Sequence, residues 1–183
     1  LILKKRGYSI SGSDNATNQS IRNLEQLGIK VFNQQISANI ISIIKEKEEL
    51  IIIISSAIPK ENHELQYAIK NNLQIIHRSD LLNYLIAKQN SILIAGSHGK
   101  TTTSTLVTTL MVKNNQDPTA IIGGIIPYFK SNAHSGKGEF IIAEIDESDG
   151  SITKYHGKIG LITNIELDHT DYYKDIKSLM KKI

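Results

Sequence analysis

Apolar positions in this chain fall into short unbroken runs separated by stretches of helical spacing. Residues 50–54 read Leu-Ile-Ile-Ile-Ile, residues 91–95 Ser-Ile-Leu-Ile-Ala and residues 140–143 Phe-Ile-Ile-Ala. None of these alternates apolar with polar, so each predicts a strand buried on both faces. Between them the period changes. Ile21, Leu24 and Leu27 share one helical face that Gly28 stops, helices are expected near 64–70 and 80–87, and Leu106, Val107, Leu110 and Met111 predict an apolar stripe on a helix. Further strands are expected at 8–10, running into Ser11-Gly12-Ser13-Asp14, and at 29–32, 74–76, 119–122 and 159–163, with Gly123-Gly124 closing the fourth of these five. Strands alternating with helices predict an α/β fold of parallel sheets covered on both faces.

Residues 1–6 look like the end of a helix stopped by Gly7, and the first residue is Leu1 rather than Met. The chain is therefore expected to open inside an element. The polar Lys88-Gln89-Asn90 marks the expected boundary. It leaves an incomplete Rossmann-like parallel-sheet unit over 1–88 and a partial phosphate-loop ATPase-type parallel-sheet unit over 89–183.

Composition narrows the classes. A chain of 183 residues, 40% hydrophobic, can bury a core in one domain or two small ones. A net charge of +3 is slight, and Lys174, Lys177, Lys181 and Lys182 read as the solvated face of a helix, so no nucleic-acid partner is expected. The absence of cysteine excludes disulfides and thiolate metal sites. No apolar run approaches the roughly 20 residues that span a bilayer, and no membrane association is expected.

The chemistry concentrates after the strand at 91–95. Gly96-Ser97-His98-Gly99-Lys100-Thr101-Thr102 places a glycine-bounded loop between that strand and a helix. Such a loop turns its N–H groups toward one anion, and the helix adds the positive end of its dipole. Lys100 would reach the outer phosphates of a nucleotide, and the Thr101 hydroxyl would ligate the accompanying magnesium. Only two residues separate the glycines, against four in the usual phosphate loop, so the spacing alone would also suit an ordinary turn; the flanking strand and helix favour the phosphate.

Other acids and hydroxyls lie where parallel strands end, the edge at which such sheets bind ligands. Glu144 opens the cluster Glu144-Ile145-Asp146-Glu147-Ser148-Asp149-Gly150; it reads as a magnesium-directing acid, with a solvated turn as the plainer alternative. In Asn164-Ile165-Glu166-Leu167-Asp168-His169-Thr170-Asp171, His169 suits a metal ligand, a phosphate donor or polar surface. His98 suits phosphate, substrate or solvent. Asp14 sits near where nucleotide-binding α/β folds put a ribose-binding acid, and Ser55-Ser56 faces the same crevice or merely turns before Pro59.

Taken together, residues 95–103, the segment Glu144 through Ser151 and the segment Thr163 through Tyr172 resemble three motifs of the Mur ligases, ATP-dependent enzymes that build the peptide stem of bacterial cell wall precursors. Ser11-Gly12-Ser13-Asp14, Ser55-Ser56-Ala57-Ile58 and His77-Arg78-Ser79 resemble the UDP-sugar domain of that family. Ser97 stands where threonine is usual and Ile145 where alanine is usual, changes of volume more than of chemistry. His98 resembles the alanine-adding and peptide-recycling branches, and Ser148 favours the former. The resemblance implies a cytoplasmic enzyme in which ATP phosphorylates the carboxylate of UDP-N-acetylmuramate and the amine of L-alanine attacks the acyl phosphate. It assigns catalysis to Lys100, Glu144 and His169, ATP binding to Gly96 through Thr102, and Mg2+ to Thr101 and Glu144. His169 would ligate a second Mg2+. Ser13, Asp14, Ser56 and Arg78 would meet the UDP-sugar. It also implies that a glycine-rich loop before Leu1, more of the central domain and a carboxyl-terminal ligase domain lie outside these residues, which alone would not complete a ligase. A recycling ligase, and a phosphate-loop kinase or nucleotide-binding piece without ligase activity, remain the alternatives.

Overall fold

The computed structural model describes residues 1–45, 49–146, 151–166 and 175. One compact unit runs from Leu3 to Leu81 and a second begins at Leu82.

The first unit contains α1 (Ile2–Lys5), β1 (Ser11–Ser13), α2 (Gln19–Gln26), β2 (Lys30–Phe32), α3 (Ser37–Ile44), β3 (Ile51–Ile54), α4 (His63–Lys70) and β4 (Gln74–His77). α5 (Arg78–Ala87) follows. β1 pairs with β2 and β3 with β4, both in parallel. The first strand begins later than expected. Residues 8–10 instead carry the chain out of α1, whose end is closed by Tyr8 N–H to Leu3 O (3.0 Å) and Gly7 N–H to Lys4 O (3.1 Å). The same paired closure ends α4, where Asn72 takes the left-handed position (φ 53°) usually given to glycine. The helix α3 carries no strong sequence signal, since its Ile-Ile-Ser-Ile-Ile run suits a strand equally well.

The expectation that 50–54 is buried on both faces fails. Ile51 and Ile53 are exposed while Ile52 and Ile54 are half-buried. β3 belongs to a two-stranded ladder, in which one pleat face packs inward and the other meets solvent.

The second unit is built on a five-stranded sheet in the order β7-β6-β8-β5-β9, from β5 (Asn90–Ala95), β6 (Thr119–Ile126), β7 (Ser131–His134), β8 (Phe140–Glu144) and β9 (Ile159–Ile162). α6 (Lys100–Lys113) joins β5 to β6. β6, β8, β5 and β9 run parallel, and β7 turns back antiparallel on β6. Here the unbroken runs are buried as expected: Ile94, Ile141, Ile142 and Ala143 are fully buried, and Leu93 and Ala95 nearly so. Each such isoleucine contributes roughly 1.5–3 kcal/mol.

α6 corrects a second expectation. Its inward positions are Ser104 and Thr108, both fully buried, whereas Leu106 (58% exposed) and Leu110 (62%) face outward. The buried hydroxyls are satisfied within the helix, Ser104 Oγ donating to Lys100 O (2.8 Å) and Thr108 Oγ1 to Ser104 O (2.7 Å). Small side chains that satisfy themselves let the helix lie close to the sheet.

β7 has no counterpart among the expected strands. The end of the β6–β7 pair away from its turn is tied by Asp117, whose Oδ1 lies 2.7 Å from His134 Nε2 and whose Oδ2 accepts from Lys137 N–H (2.9 Å). The His134 ring in turn stacks on Phe129 at 3.8 Å. The hydrogen bond to His134, then that to Lys137, holds the Asp117 carboxyl below its ordinary pKa, with a weaker opposing effect of burial. Among the described residues no helix is long and apolar enough to cross a membrane.

Candidate functional site

β5 delivers the chain, still buried at Ala95, into Gly96. Gly96 has φ +127°, and a β-carbon there would collide with Thr163 Oγ1 and approach Asn164 O to 2.8 Å. Only glycine fits. α6 then begins at Lys100, behind Gly99 at φ 80°, without a side-chain cap. Its first turn therefore presents backbone N–H groups and the positive end of the dipole at the loop. Lys100 Nζ folds back over the loop and donates to Gly96 O (2.6 Å) and Ser97 O (3.5 Å).

Glu144 ends β8, next to β5 with Ile94 opposite Glu144 in register. Its carboxylate accepts from the Thr101 hydroxyl at 3.0 and 3.1 Å and from Gly123 N–H at 2.8 Å. The sequence pattern closes a strand at Gly123-Gly124, but β6 continues to Ile126. The pair instead clears space. A β-carbon on Gly123 would approach Glu144 Oε1 to 2.9 Å, and one on Gly124 would approach Thr101 Cγ2 to 2.7 Å. A hydroxyl and a carboxylate facing each other beside a lysine are hard oxygen donors of the kind magnesium prefers. Among the described residues no group of three or more His, Asp or Glu could hold a metal ion. His169 lies outside the described residues, as do Glu147, Ser148, Asp149, Asp168 and Asp171.

Past β9, Thr163, Asn164 and Glu166 run alongside the loop. Thr163 N–H donates to Ala95 O (3.0 Å) and Thr163 Oγ1 to His98 O (2.6 Å). Ser97 N–H reaches Asn164 O (3.2 Å), and His98 N–H reaches Asn164 Oδ1 (2.8 Å). Ser97 Oγ donates to Glu166 O (3.0 Å) and accepts from Glu166 N–H (2.9 Å). The His98 ring turns outward, with Nε2 3.6 Å from Glu166. Thr102 is exposed on the first turn of α6.

In the first unit the expected substrate residues all lie at or just past carboxyl ends of strands. Ser13 Oγ donates to Glu64, which also accepts from Asn39 Nδ2 (2.7 Å). Asp14 Oδ1 accepts from Ala16 N–H (2.8 Å), closing a tight turn. Ser56 Oγ lies 3.2 Å from His77 Nε2, and Arg78 is exposed at the start of α5. An open cleft of about 390 Å³ lies in this unit, lined by Asn15, Gln34, Gln35 and Asn62 among others. Sequence reasoning misses these carboxamides, because isolated Asn and Gln in loops carry no spacing signal. In the sequence Thr163 and Asn164 are only the start of a polar cluster; their contacts with the loop need the register of β5 and β9 to be seen.

The catalytic-domain profile of the Mur ligase family matches residues 1–90, and the Mur ligase middle-domain profile matches residues 94–182. A UDP-N-acetylmuramate--L-alanine ligase of Prochlorococcus marinus is 62% identical over 184 residues, covering 100% of this chain and 39% of the relative. One from Synechococcus sp. (strain CC9605) is 51% identical, covering 100% and 39%. The chain thus spans about two fifths of the length of these relatives. Among solved structures, the UDP-N-acetylmuramate-alanine ligase of Thermotoga maritima superposes with a TM-score of 0.86 at 22% identity, over 98% of this chain and 41% of the other. The UDP-N-acetylmuramate:L-alanyl-gamma-D-glutamyl-meso-diaminopimelate ligase of Neisseria meningitides gives 0.86 at 22%, over 99% and 60%. At that identity the two structures establish the shared fold alone.

Proposed function

This chain belongs to the Mur ligase family, and from that premise we propose that it carries the UDP-sugar-binding and ATP-binding parts of a cytoplasmic ligase joining L-alanine to UDP-N-acetylmuramate for peptidoglycan precursor synthesis. The observation that carries the reading is the meeting of Thr101 with Glu144 beside the Lys100 loop. The names of the 62% and 51% identical relatives support the choice of substrates.

In this reading Gly99 and the first turn of α6 hold the ATP phosphates, and the Lys100 ammonium leaves its loop carbonyls to offset charge on the γ-phosphoryl group. Thr101 and Glu144 would hold Mg2+, which would supply positive charge to offset that of the ATP phosphates, and His169 is a candidate for a second ion. The phosphoryl group passes to the muramate carboxylate and ADP leaves. The alanine amine then attacks the acyl phosphate, forms the amide and releases phosphate. Ser13, Asp14, Ser56 and Arg78 would contact the UDP-sugar.

ADP production by the protein carrying this sequence, with each substrate omitted in turn, tests the reading. Dependence on both UDP-N-acetylmuramate and L-alanine is expected. Equal ADP release without L-alanine would replace the ligase with a kinase.

A further inference from the structure

A loop with only Ser97 and His98 between its glycines is too short to wrap an anion unaided, so something else must fix its shape. In this structure the segment after β9 does so. Both backbone N–H groups of the two central residues are taken up by Asn164, that of Ser97 by its carbonyl and that of His98 by its side-chain oxygen. Thr163 Oγ1 secures the His98 carbonyl, and the Ser97 hydroxyl exchanges hydrogen bonds with the Glu166 backbone. A β-carbon on Gly96 would run into Thr163 and the Asn164 backbone, so the two segments lie against each other at that point.

We propose that Asn164 is a positioning residue for the phosphate loop. It turns the N–H groups of Ser97 and His98 toward the exit of β9, so that the nucleotide is left to the Gly99–α6 turn and the Lys100 ammonium. The inference rests on the nucleotide reading of the loop given above. The residue type follows from the chemistry. Asparagine offers an acceptor oxygen to His98 without charge, whereas an aspartate would accept the same hydrogen bond but set a carboxylate beside bound phosphates.

Two substitutions separate these effects. In Asn164→Leu the His98 amide loses its acceptor, and its hydrogen exchange is expected to quicken about tenfold, the equivalent of one net hydrogen bond. Mg-ATP affinity by calorimetry should fall by a similar factor. In Asn164→Asp the His98 amide should stay protected while Mg-ATP affinity still falls. Should Asn164→Leu fail to fold, Asn164→Ala carries the same test. Wild-type exchange at His98 in Asn164→Leu, or wild-type Mg-ATP affinity in both variants, would overturn the proposal. Failure of the wild-type chain to bind Mg-ATP would instead remove the nucleotide reading, and the exchange measurement would still decide whether Asn164 holds the loop.

Discussion

Thr101 and Glu144, 43 residues apart in the chain, meet through the Thr101 hydroxyl, which lies within 3.0 and 3.1 Å of the two carboxylate oxygens. The contact follows from adjacency. β5 and β8 pair in parallel with Ile94 opposite Glu144, so the helix that leaves β5 starts beside the acid that ends β8.

Replacing the acid tests that contact as a metal site. Glu144→Gln keeps the shape and an acceptor but removes the charge, and Glu144 is only half-buried, so the melting temperature should change little. Mg-ATP-dependent ADP production is expected to fall by about a hundredfold or more, the scale of losing one placed electrostatic group. Undiminished turnover and magnesium dependence would count against Glu144.

The glycines around the site should respond differently from one another. In Gly96→Ala the new methyl meets the backbone of Asn164, which cannot yield, at a φ that side chains rarely adopt. A loss of about 2–4 kcal/mol in urea unfolding is expected. In Gly124→Ala the methyl meets Thr101 Cγ2, a side-chain tip that can rotate. Stability should change by about 1 kcal/mol or less, while rotation of the Thr101 hydroxyl away from Glu144 weakens Mg-ATP binding in calorimetry.

α6 offers a contrast within one helix. Thr108→Leu forces a larger side chain against the sheet and should cost about 1–3 kcal/mol, measured by chemical denaturation. Leu110→Lys, on the outward face, should stay within about 0.5 kcal/mol. Reversed magnitudes would mean that the inward face had been misassigned.

The Asp117 carboxylate gives an acid-limb prediction. Its folded pKa lies below the ordinary 3.8, so the stabilisation is present above that value and is lost as pH falls through the folded pKa. The stability difference between wild type and Asp117→Asn in urea titrations should be constant above about pH 5 and shrink below about pH 4. Its side chain is 49% exposed, and solvent keeps the effect small. A difference that grows on acidification would contradict the sign.

The central strands β5 and β8 and the glycine loop that joins β5 to α6 are legible in the sequence because their signals are local: an unbroken apolar run, two glycines and a Lys-Thr pair. The outward Leu106 and Leu110 are not, because the helix uses Ser104 and Thr108 for close packing, and hydroxyls that satisfy themselves on their own helix look polar in sequence. β3 misleads in the opposite way, since four isoleucines look alike whether a sheet has two strands or five. Lys100, Thr101 and Glu144 can be grouped from chain position at strand ends. Asn164 cannot, because its role depends on which strands are neighbours.

The bond between Ser97 and Glu166 spans 69 residues. A ribosome adding about 5–20 residues per second takes on the order of 3–14 seconds to cover that interval. For that time the nascent loop exists with its glycines, lysine and threonines already made while the Glu166 backbone that Ser97 bonds is not yet synthesised, so the loop can take this bonded shape only after translation has passed β9.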